Sequence, residues 1–315
     1  MENREKLYMI ITLLLLPPFT AEVLTGSTSL WSFINPLNLL ILVCLYGLGT
    51  IIIRECWLKY SLKYGSIIIL GFVYGIIEEG IAVKSFFNPA WKDLGVFGEY
   101  GRWIGVNWVW SIYLTVFHGV FSIFAPIILS EALYPSFSRH RLVKDRTLLL
   151  VLVVFGADIL VINALTNYTI SIINYLAMII IATLLVIVAL SIHYNLGKHH
   201  GMGAIKYALY WALWSTLFFI CFYVVSAIIS YPIIPFIMGI IIGITAVKLG
   251  DMLDKVNDNA ILARYLSYTA IISPILFIDL IRASEPNYER MATLIIIFVF
   301  LLISYTKISK RRIYL

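Results

Sequence analysis

Two adjacent glutamates, Glu78 and Glu79, interrupt an otherwise apolar run, YGIIEEGIAVKSFF. Acids surrounded by lipid-solvated residues cost a few kcal/mol each, roughly, which makes them candidates for handling protons, ions or a substrate. A histidine, His118, stands in the next apolar run. A carboxylate and an imidazole can divide the work of hydrolysis. The carboxylate draws a proton from water, and the imidazole steadies developing negative charge or ligates a metal. Glu78 and His118 are the residues that would hold a divalent metal. No His-Glu-x-x-His pair is present to make a metal specific.

Spacing separates the two acids. Adjacent residues on a helix point about 100° apart, so Glu78 and Glu79 have different neighbours. Gly71, Gly75, Glu78, Ala82 and Ser85 recur at helical intervals and form one stripe of small or polar residues. Such stripes let membrane helices approach closely. Asn107, Ser111, Thr115, His118 and Ser122 form a matching stripe on the next run. Glu78 is therefore expected to face His118. Glu79 shares its face with Phe72, Ile76, Val83 and Phe86 and is expected to support it. The competing reading is a hydrogen-bonded network that only fixes helix packing.

Secondary polar candidates are Glu22, beside the Pro17-Pro18 break where freed carbonyls could line a cavity, then Asp158 with Asn163, and Asn107 and Ser122. Glu131, His193 and Asp279 fall near the ends of apolar runs and read as interfacial. His140, His199 and His200 fall in basic loops and read as solvated. The loop 88–110 is rich in Trp and reads as an aromatic belt; as a lid it would pair Asp93 with Arg102.

The elements that must position these residues are membrane helices. Of 315 residues 61% are hydrophobic and 13% charged, and the mean hydropathy is +0.95. A soluble domain has about 25% charged residues, so a water-soluble fold is excluded. Runs long enough to span, about 20 residues each, fall at 7–25, 37–53, 66–86, 108–133, 148–165, 171–193, 207–229, 232–249, 265–282 and 291–307. The run 232–249 opens on Pro232 and admits a re-entrant hairpin. Run 1 admits a cleaved signal, although no clean cleavage site follows it. Of 23 basic residues, 18 fall on one side of this arrangement and 5 on the other. That skew puts both termini in the cytoplasm, and it accounts for the net charge of +6 without nucleic acid. Three cysteines in no motif read as packing residues. The expected fold is all-α, a polytopic bundle of about ten transmembrane helices forming a single transmembrane domain over 1–315 in the cell membrane. The sixth run has neither Gly nor Pro, so an inverted repeat with matched broken helices is not supported.

At Glu78-Glu79 and His118 the sequence resembles the CAAX-protease and bacteriocin-processing family of intramembrane proteases, over residues 66–130. The resemblance implies Glu78 as the base that activates water, Glu79 as its support, and His118 as oxyanion stabiliser or metal ligand. The family's Arg three residues after the pair is Ala82 here, with Lys84 the nearest cation. Leu114 replaces the expected Phe, and no later histidine has Asn four residues on. The block 17–135 also resembles multi-pass prokaryotic proteins of no known activity.

Three functions stay open on these residues. One is an intramembrane hydrolase, a peptidase acting on a membrane-embedded peptide. The second is a transporter that moves an ion or small molecule along the buried carboxylates. The third is a scaffold in contact with membrane lipid alone.

Overall fold

The computed structural model describes residues 2–193, 201–256, 259–282 and 288–312; His199 and His200 lie outside them. Ten helices are long and apolar enough to cross a bilayer: Arg4–Val23, Pro36–Lys59, Tyr64–Ala82, Trp108–Leu133, Asp145–Leu165, Ile172–Ser191, Ala204–Ile228, Ile233–Lys255, Ala260–Arg282 and Tyr288–Lys310. The chain is thus a polytopic helical membrane protein. Each expected run forms one helix. The run at 232–249 is a continuous helix rather than a hairpin, with Pro235 accommodated in its first turn, where a missing N–H costs nothing.

The third and fourth spans lie at the centre, with 89% and 94% of their apolar windows buried. The fifth and sixth sit at the periphery, with 11% and 17%. Glycine sets how closely the central pair cross. A Cβ on Gly71 would meet the Gly119 Cα at 2.6 Å, and one on Gly75 would meet the His118 Cβ at 3.0 Å. Backbone touches backbone at the first of these, so little can give. Gly71→Ala is expected to destabilise the protein by about 1–3 kcal/mol through overpacking, read as a lowered thermal midpoint in detergent. An unchanged midpoint would mean that the crossing is not tight.

Several spans depart from α-helical winding. π-helical turns occur at Phe19–Val23, Val43–Gly47, Ile76–Ala82, His118–Phe124 and Ile220–Val225. Such turns are rare and concentrate at functional sites.

A buried ion network ties the second and fourth spans to the loop after Leu133. Arg54 Nη2 lies 2.6 Å from Glu131 Oε1, and Arg54 Nη1 lies 3.2 Å from Glu55 Oε1. Arg54 also donates to the carbonyls of Phe137 and His140. Glu131 Oε2 accepts from the Ser138 hydroxyl and the Arg139 N–H, while Glu55 accepts from the Leu142 N–H and Arg141 Nε. Arg54, Glu55 and Glu131 are all fully buried. Glu131 is therefore not interfacial: its position near a span end is covered by a loop that folds back over it.

On the opposite face the loop 83–107 packs down through Phe86, Phe87, Leu94 and Phe97, all buried. Arg102 donates to the carbonyls of Phe87 and Gly98. It braces the loop and forms no ion pair with Asp93 among the described residues. Trp103 is exposed while Phe97 and Trp110 are enclosed, so only part of this aromatic segment could serve as a belt.

Candidate functional site

The third span is α-helical over Tyr64–Gly75 and widens over Ile76–Ala82. The fourth is α-helical over Trp108–Phe117 and widens over His118–Phe124. A wider turn holds more residues, so neighbours diverge by less than the α-helical 100°. Both glutamates consequently reach one imidazole. His118 Nδ1 lies 3.2 Å from Glu78 Oε2, and Nε2 lies 3.1 Å from Glu79 Oε1. Glu78 faces the histidine as expected, and Glu79, expected on its shoulder among apolar residues, reaches the ring as well, because the winding is not uniformly α-helical.

The two acids nevertheless differ. Glu79 Oε2 accepts from the Ser85 hydroxyl, and the Ser85 oxygen accepts from Trp110 Nε1 at 3.1 Å. Both oxygens of Glu79 are therefore engaged. Glu78 Oε2 is buried and has no hydrogen-bond partner among the described residues, its approach to His118 being short but not a hydrogen bond. His118 Nδ1 also meets Ser122 Oγ at 3.0 Å. Two tyrosine rings flank the imidazole, Tyr74 with its centroid at 5.9 Å and Tyr46 at 6.1 Å.

This cluster stands at one end of a cavity of about 850 Å³. Glu22, Glu78, Glu79, Asp93 and His118 line it, with apolar walls from Leu42, Leu45, Phe219 and Ile278. Its rim includes Gly26, Ser27, Lys92 and Arg282, on the face of the 83–107 loop. Beyond His118, Val120, Phe121, Ile123 and Phe124 are completely buried, and no residue of the 60–63 or 134–144 loops reaches the lining. The third span ends at Ala82 rather than near residue 86. The acids accordingly sit about one turn from its end, nearer the 83–107 face than the uninterrupted apolar run implies.

The secondary candidates divide. Ser122 joins the cluster. Glu22 lines the cavity, accepting from the Tyr46 hydroxyl at 2.6 Å and the Thr28 hydroxyl at 2.5 Å. Asp158 does not line it. Asn107 caps the fourth span: its Oδ1 accepts from the Trp110 N–H at 3.0 Å, and its amide donates to the Phe97 carbonyl. Asn163 donates to the Ile81 carbonyl at 2.6 Å, at the widened turn. Asp279 is buried, paired with Arg290 at 2.9 Å, and lines the cavity rather than sitting at an interface.

Lys84 is turned away from the acids. Its Nζ donates to the carbonyls of Asn163 and Tyr168 at 2.7 and 2.9 Å, where the fifth span ends and leaves acceptors free. Tyr46 and Tyr74 are not among the sequence candidates, and Trp110 reads from the sequence only as part of the aromatic segment 88–110. Tyr74 precedes Glu78 by four residues, a helical spacing that could have found it. Nothing local points to Tyr46.

One oxygen from each glutamate and one nitrogen of His118 lie within 4.8 Å of one another. Such a trio can share and transfer protons, or hold a cation. No curated protein and no solved structure matches the chain. A family model described as an uncharacterized membrane protein family matches residues 11–306, a stretch that takes in the whole cavity lining, and the chain belongs to that family.

Proposed function

We propose that the protein is a membrane-embedded hydrolase, a peptidase, in which Glu78 is the general base. The observation that carries this reading is Glu78 Oε2 in the cavity lining, approached by His118 Nδ1 at 3.2 Å but without a hydrogen bond among the described residues, beside a Glu79 bonded through both oxygens. A water there would give its proton to Glu78 as its oxygen bonds to the substrate carbonyl carbon. Glu78 would then return that proton to the departing nitrogen as the C–N bond breaks. His118, held through Nε2 by Glu79, would release Ser122 and donate from Nδ1 to the oxyanion. This division of labour agrees with the resemblance to CAAX-type proteases, without the Arg and the second His motif of that family.

The three residues also fit a divalent metal: one ligand atom of each lies within 4.8 Å of the others, a spacing that ligands about 2.0–2.2 Å from one zinc can adopt. Transport would require a second opening, and the residues beyond His118 are packed. In liposomes of reconstituted protein, cleavage of membrane-anchored test peptides is expected, without proton or cation flux, and loss of that cleavage with chelator would assign a metal to the site. Flux without cleavage would overturn the reading in favour of transport. Neither activity would favour a scaffold.

A further inference from the structure

Glu22 is a carboxylate without a counter-ion. Each of its oxygens accepts from a hydroxyl, Tyr46 on one and Thr28 on the other. It forms no ion pair among the described residues. Apart from His118, which faces Glu78 and Glu79, the basic side chains of the lining are engaged elsewhere or stand at the rim. Lys92 Nζ donates to the Ser27 carbonyl at 3.2 Å, and Arg282 is exposed at the end of the ninth span. Hydroxyl donors orient Glu22, and no cationic side chain of the described residues lies at ion-pair distance from it beside the apolar walls, where a charged side chain needs a partner.

A second observation points the same way. Glu78 Oε2, buried and without a donor, belongs to a residue lining the same cavity. The cavity thus presents acceptors and negative charge in its interior and apolar side chains along its walls. An occupant complementary to both carries N–H donors and positive charge on an apolar body.

We propose that the cavity binds a primary ammonium or guanidinium group borne on an apolar body, with Glu22 as the anchoring anion. Resting on the hydrolase reading, the substrate would be a membrane-embedded peptide with a lysine or arginine beside the scissile bond. Glu22 sets that preference without touching the reacting atoms.

Octylamine and octanol serve as matched probes. Binding would be measured calorimetrically to the protein in phosphatidylcholine nanodiscs, with empty nanodiscs subtracted. Octylamine is expected to bind about tenfold to a hundredfold more tightly than octanol, the range of a hydrogen bond to a charged group. Glu22→Gln should abolish the difference and Glu22→Asp should retain it. Equal binding of the two probes to the wild-type protein would overturn the proposal even if a variant failed to fold. So would an undiminished preference in Glu22→Gln. In parallel, test peptides with Lys or norleucine beside the scissile bond would be compared for cleavage. An amine preference with no cleavage of either peptide would overturn the hydrolase reading and leave the cation site standing. Cleavage indifferent to Lys, with no amine preference, would overturn the cation site and leave the hydrolase.

Discussion

Glu78→Gln is expected to lower peptide cleavage by about 100- to 10,000-fold, the range associated with a general base. The amide keeps the shape of the side chain but cannot take a proton from water, so insertion and folding should be retained. Glu79→Gln should cost less. Its two contacts, to His118 and Ser85, orient the imidazole, and an amide can reproduce one of them. Cleavage rates for both variants in liposomes, with size-exclusion profiles as the folding control, separate the roles. Equal losses would show that the two acids do one job. Full activity in Glu78→Gln would remove Glu78 from the mechanism.

The largest effect on stability is expected on the other side of the molecule. Arg54→Met should cost about 3–5 kcal/mol, because it leaves a buried carboxylate without its counter-charge. Glu131 would bear most of this, since Glu55 keeps Arg141 and backbone donors. A double variant, Arg54→Met with Glu131→Leu, should recover part of the loss, because it removes the stranded charge together with its partner. Chemical unfolding in detergent would measure both. A loss below about 1 kcal/mol, the range of solvent-exposed pairs, would mean that water reaches the network.

How much of this was legible in the sequence follows from the kind of signal each feature leaves. Ten apolar runs appear as ten helices because lipid imposes hydropathy on every span. The glycine stripe of the third span forms a close crossing because Gly71 and Gly75 lie one helical turn apart. Glu78 and His118 could be paired for a similar reason, through two stripes of matching periodicity. The widened turns could not be read, since a run of apolar residues looks the same whether each turn closes at four residues or five. The contact of Glu79 with His118 follows from that winding. Asn107 was legible and misassigned: an Asn directly before an apolar run is a helix-cap signal. It instead appeared to continue the polar stripe. Glu131 and Lys84 were harder, because their partners lie on loops and helix ends whose return path leaves no periodic trace. Glu22 is marked in the sequence by the prolines before it, but its holder Tyr46 comes from another span.

The uneven enclosure of the spans also determines where the chain stores its structural information. In Asp145–Leu165, with 11% of its window buried, most positions face outward. Exchange among Leu, Ile and Val there alters little that lipid can distinguish, so the segment is encoded by average hydropathy and length. In Trp108–Leu133, with 94% buried, a side chain of the wrong outline meets packed neighbours on nearly every side, and the code is written residue by residue. One polypeptide therefore carries two vocabularies: a redundant one, spelled in apolar character, and a strict one, spelled in shape. The Glu-Glu-His cluster is written in the second.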